Sequence, residues 1–157
     1  MKKINEDLIW DEDIGIWDIH PYSDKDYIVD ASGIHHHHTN IIDHGTTKIE
    51  DEEVERAIQL FENFKRRPTP PKKRHELEQL RFRAVQYSRY HYPKRETHTV
   101  SCGAVITAML GLGFDMWIDE NMDVYFNFSL IEYNKIVKTI GNVSLLNRHD
   151  PPPTPTT

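Results

Sequence analysis

Four of the ten histidines in this chain of 157 residues are consecutive, at 35–38, and a fifth, His44, follows close behind. Imidazole ligates metals, titrates near neutral pH and also sits in plain polar loops, so spacing has to choose between these roles. In an extended segment alternate side chains share a face, which pairs His35 with His37 and His36 with His38. Such an H-x-H pair can aim two imidazoles at one zinc or copper ion. Asp43 or His44 could complete the set, with His20 or Asp30 as further donors if the fold brings them near. A zinc site on His35, His37 and His44, serving a metal-dependent hydrolase, is therefore one alternative. The preferred expectation has no cofactor: no ligand tetrad is spaced in the chain, and no rigid element or second shell is predicted to hold one. The run is expected to be a solvent-accessible loop.

Cys102 is the single cysteine. It falls where a helix is predicted to begin, and there the backbone N–H groups and the helix dipole favour a thiolate, the nucleophilic form. The words SCGAVITAML, residues 101–110, resemble the cysteine-bearing helix of several cysteine peptidase families. Over those ten residues the resemblance implies a thiol nucleophile that needs a histidine base. Only His149 follows Cys102, which serves a papain-like order badly. A histidine-first order would draw on His91, His98 or the 35–38 run, and no Asp or Asn stands out as an orienting third member. A thiol hydrolase with Cys102 and His98 is kept as an alternative. The preferred reading names no catalytic residue, because a lone cysteine in an apolar helix ordinarily packs. The acidic DENMD at 119–123 has the first ligand spacings of a calcium loop, but Val124 and Leu130 replace the required glycine and bidentate carboxylate, so it is a hairpin turn.

The most distinctive composition is KKRHELEQLRFRAVQYSRYHYPKR, residues 72–95. Lysine and arginine neutralise phosphates, while tyrosine and arginine offer flat faces to unpaired bases. Arg83, Arg89, Tyr90, Tyr92, Lys94 and Arg95 are the expected contacts to nucleic acid or to an acidic protein surface. No established nucleic-acid-binding signature accompanies them. The charge layout favours such a surface. Residues 1–63 carry 16 acids against 5 Lys/Arg, residues 64–98 carry 11 Lys/Arg against 3 acids, and the whole chain is at −6. The opposing expectation is that the acidic third simply masks the basic segment.

The elements that must position these groups follow from periodicity. Thr47 and Glu50 have capping-box spacing ahead of a helix whose buried face is Val54, Ala57, Ile58, Phe61 and Phe64, with Lys65, Arg66 and Arg67 in its last turn. Pro68, Pro70 and Pro71 end it in a stiff connector. A second helix is predicted over about 72–90, with Leu77, Leu80, Ala84 and Tyr87 as its stripe. The third, capped by Ser101 or Thr99 and stopped by Gly113, is apolar almost all round and should be the centre of the core. Phe114, Met116 and Ile118, then Val124, Phe126 and Phe128, alternate as a hairpin. Ser129 and Glu132 form a second capping box, opening a helix that Gly141 should end.

Before residue 47 the pattern is weak: short strands near Ile14, Ile16 and Ile19 and in DYIVDA, joined by a turn at 21–24. The expectation is thus an α+β fold of about four helices, with the hairpin between the last two and an acidic, partly extended N-terminal arm. Residues 1–46 would form the arm, 47–147 the body and 148–157 a Pro-rich tail, with arm and tail as protein-docking elements. The absence of a long apolar run or a secretory pattern, together with the lone cysteine, leads to the expectation of a cytoplasmic protein with no membrane partner. The function expected is that of a small accessory binding protein within a larger assembly.

Overall fold

A computed structural model of the chain describes residues 1–19, 27–36 and 47–146. The elements in order are β1 (Lys2–Lys3), a 3-10 turn (Asn5–Asp7), β2 (Leu8–Asp11), β3 (Ile16–Ile19), β4 (Tyr27–Asp30), β5 (Gly33–His36), α1 (Asp51–Phe61), α2 (Leu77–His91), α3 (Cys102–Gly111), β6 (Met116–Ile118), β7 (Val124–Phe126) and α4 (Leu130–Leu146). No helix among the described residues is long and apolar enough to cross a membrane.

The fold is a small α+β one, but the expected layout of a helical body with one hairpin and a loose arm is overturned. Five strands precede the helices, and the seven strands among the described residues form two antiparallel sheets: β2-β3-β4-β5, and β1-β6-β7. The first is a meander of four-residue strands in which Trp10 pairs with Trp17, Trp17 with Val29 and Val29 with Ile34. Ile16, Ile28 and Val29 are fully buried, so this sheet carries core rather than lying on it. In the second sheet, β6 and β7 are extended by β1 at an edge. Asn5 holds that edge by donating from Nδ2 to the Phe114 carbonyl at 2.8 Å and accepting from the Met116 N–H at 2.6 Å. A side-chain amide thereby does what a further strand residue would do.

Helix α3 is the centre of the molecule. Val105, Ile106 and Met109 are buried, while Leu110 is only partly so. Its cover comes from α1, α2 and the β4–β5 hairpin. The Ser101 side chain accepts from the Ala104 N–H at 3.1 Å and caps it, and Gly113, at φ +86°, turns the chain out of it. Gly103, in the first turn, donates to the Ala31 carbonyl at 3.2 Å. A Cβ there would fall onto the Asp30 carbonyl, so only glycine lets the helix end meet the sheet this closely.

Three helix ends differ from the expected ones. The Thr47–Glu50 capping box does not form. Thr47 lends its N–H to Asp30 Oδ2 (3.2 Å) and its carbonyl to the Ala31 N–H (2.9 Å), and α1 starts after Glu50 with no side-chain cap. Burying the Asp30 carboxylate demands those donors, and that demand outweighs a cap. The same helix ends at Phe61, where Asn63 Nδ2 donates to the Gln59 and Leu60 carbonyls. Lys65, Arg66 and Arg67 therefore lie beyond it. Helix α4 runs through Gly141, where an added Cβ would meet no neighbouring element within 4 Å, so glycine there costs propensity without ending the helix.

Candidate functional site

Of the expected zinc ligands, His37 and His44 lie outside the described residues. His35 stands on β5, beside the turn that brings β5 back along β4, with Nε2 2.8 Å from Asp30 Oδ1. Asp30 is 1% exposed and also accepts from the Ser32 N–H (2.9 Å) and Oγ (2.6 Å) and from the Thr47 N–H. Burial pushes its pKa up, but the bonds from Ser32, His35 and Thr47 outweigh burial and hold the carboxyl below its usual value. The result is a clasp that ties the β4–β5 turn, β5 and the segment entering α1 to one carboxylate. Among the described residues no group of three or more His, Cys, Asp or Glu is placed to hold a metal.

Cys102 occupies the first position of α3, as expected, yet its Sγ donates to Glu78 Oε2 at 3.3 Å. Burial, then the bond to and the charge of Glu78, push the thiol up to about 12, so the carboxylate overrides the helix end and the thiol stays protonated. Glu78 itself bonds Arg81. His98 is elsewhere: its Nδ1 meets Ser88 Oγ at 2.7 Å, and burial, followed by Arg89, Arg95 and Arg56, lowers its pKa. Glu78 and Ser88 are ten residues apart on α2, about 15 Å along the axis. Cys102 and His98, four residues apart in sequence, thus attach to opposite ends of one helix. Around Cys102 lies a cleft of about 390 Å³ between the starts of α2 and α3, the Ser32–Gly33 turn and the turn before Tyr125. Among the described residues no imidazole lines it.

The far end of α2 is different. Tyr90 and Tyr92 are 40% and 38% exposed, and Arg89 and Lys94 are exposed beside them. His91 links the aromatics, its ring centroid 4.2 Å from Tyr87, 4.8 Å from Tyr90 and 6.5 Å from Tyr92. The Arg95 guanidinium lies 3.9 Å above the Tyr92 ring and donates to Ser88 Oγ at 3.1 Å. Five of the six expected contacts therefore share one surface. Arg83 leaves the set: its Nη1 donates to Gln86 Oε1 at 2.9 Å, and its charge acts on the buried Tyr133 and His75. His91 was not among the expected contacts, although Tyr87 and His91, four apart on a helix, were bound to meet.

Among the described residues no ion pair carries the masking of the basic segment by the acidic third. Their ion pairs join Lys3 to Asp115, His35 to Asp30, Arg56 to Glu52 and Arg81 to Glu78, and none ties residues 1–63 to residues 64–98. No family model, curated protein sequence or solved structure matches the chain.

Proposed function

We propose that this protein is a non-enzymatic binding module that contacts single-stranded nucleic acid through the C-terminal end of α2. The observation that carries the reading is the exposed ring surface of Tyr90, His91 and Tyr92, stiffened by Arg95 over Tyr92 and flanked by Arg89 and Lys94. Flat rings supply sequence-tolerant stacking, and unpaired cations beside them supply phosphate neutralisation. A protonated thiol bonded to a carboxylate, with His98 bonded to Ser88 at the other end of a helix and His35 bonded to Asp30, supports binding over thiol chemistry.

The test is fluorescence anisotropy with a labelled single-stranded oligonucleotide at about 50 and about 200 mM salt. Affinity should fall with salt, and Tyr90→Ala and Tyr92→Ala should each weaken it about five- to 150-fold, the range set by stacking energies of about 1–3 kcal/mol per base. Absence of binding at low salt, or indifference to both substitutions, overturns the proposal.

A further inference from the structure

The segment joining α1 to α2, residues 65–74, reads KRRPTPPKKR, with six cations and no acid. Its proline content suggests a plain spacer, but its ends are stapled. Phe64 and His75, which flank it, both stack on Phe128, with ring centroids at 5.5 and 5.6 Å. Between them, Arg66 bridges Phe128 in antiparallel fashion, the Arg67 N–H donates to the Asn127 carbonyl at 3.2 Å, and the Ser129 N–H donates to the Lys65 carbonyl at 2.9 Å. Asn127 Nδ2 also donates to the Thr69 carbonyl. The connector is thus a rigid loop laid along the chain that leaves β7.

Lys65, Arg66, Arg67, Lys72, Lys73 and Arg74 are all exposed, and none takes part in an ion pair among the described residues. Among the described residues Glu132 feels Lys65 and Arg67, and Asp119 and Asp123 act on Tyr125 beside Arg74. Arg74 lies 5.3 Å above the ring of Tyr125, which is itself buried. Six cations held on a fixed backbone, with almost no rings, suit phosphates and not bases. The loop delivers them to the N-terminal end of α2, while the ring surface lies at the C-terminal end. Fifteen residues of helix separate the two by about 22 Å. A stacked single strand advances about 3.4 Å per nucleotide, so about seven nucleotides bridge that span.

We infer that the stapled connector is a second contact surface, which grips the phosphate backbone of the same strand whose bases stack at the other end of α2. The inference rests on the nucleic-acid reading above and deepens it. It makes binding length-dependent: a strand of about five nucleotides engages one surface, and a strand of about sixteen engages both.

The experiment measures anisotropy for labelled oligothymidylates of those two lengths. It uses the full chain, a Lys72→Gln/Lys73→Gln/Arg74→Gln variant, a Lys65→Gln/Arg67→Gln variant and Tyr90→Ala, each checked for native circular dichroism. The longer strand should bind at least about tenfold more tightly, and the triple variant should remove most of that gain. The triple variant should also cut the salt slope by about 2, at about 0.7 per lost phosphate contact. Tyr90→Ala should weaken both lengths. Binding that depends on Tyr90 but ignores both connector variants overturns this inference and leaves the proposed function standing. No binding of either length overturns the proposed function itself. Equal competition by polyglutamate of matched charge overturns both in favour of an acidic protein partner.

Discussion

Gly103→Ala and Gly111→Ala are the same chemical change in the same helix, and they should have opposite effects on stability. Alanine ordinarily gains about 0.5–1 kcal/mol over glycine inside a helix. At Gly111 nothing lies within 4 Å of the added carbon, so that gain should be realised nearly in full. At Gly103 the added carbon would overlap the Asp30 backbone and stand 2.9 Å from Ile49 Cγ1. Asp30 cannot yield easily, because its carboxylate is held by Ser32, His35 and Thr47, and the next residue, Ala31, is bonded to Thr47. Helix α3 would have to back away from the sheet, at the cost of about 1–3 kcal/mol typical of overpacking. Subtracting the propensity gain leaves a net loss of about 0.5–2 kcal/mol, and because that gain is common to both, the two variants should differ by about 1–3 kcal/mol. Urea unfolding of both beside the parent, with m-values compared, measures this directly. If Gly103→Ala is neutral or stabilising, the close docking of α3 on β4, and with it the placement of Cys102, is wrong.

Acid should loosen the connector. His75 is 7% exposed, and its Nε2 has no hydrogen-bond partner among the described residues. Burial, with the charges of Lys73 and Arg83, holds its pKa below the usual value against the opposing Gln79 bond. The unfolded chain then takes up the proton first, so the contribution is whole above about pH 6.5 and is lost as pH falls towards the folded pKa. Thermal melts at about pH 7.5 and 5.5 should show this drop in the parent and a smaller one in His75→Phe, which keeps a ring against Phe128; equal drops would refute it. The Cys102 thiol should react with a disulfide reagent at about pH 8 far more slowly in the native protein than in urea, and Cys102→Ser should leave oligonucleotide binding unchanged. Comparable labelling rates, or lost binding, would reopen the thiol alternative.

Periodicity by itself determined the four helices, the all-round apolar character of α3 and the apolar alternation of β6 and β7, because each signal lies within one element. It narrows the cap of α3 to Ser101 or Thr99, and the fold selects Ser101. The basic, tyrosine-rich end of α2 was legible for the same reason: Arg89 through Arg95 are neighbours in the chain and remain so in space. The four-stranded sheet was legible only in part: the short strands expected near Ile16 and Ile19 and in DYIVDA are β3 and β4, but their assembly with β2 and β5 into a core sheet was not. Its strands are four residues long and carry acids such as Asp11, Asp18 and Asp30, and their burial comes from α3, about 70 residues away. Nor could spacing show that Arg83 turns inward to Tyr133, or that Thr47 serves Asp30 instead of capping α1. The fates of Cys102 and His98 were likewise tertiary. Four residues of chain separate them, yet Glu78 and Ser88, at opposite ends of α2, take one each, because a buried polar group goes to whichever partner packing supplies, however distant in sequence.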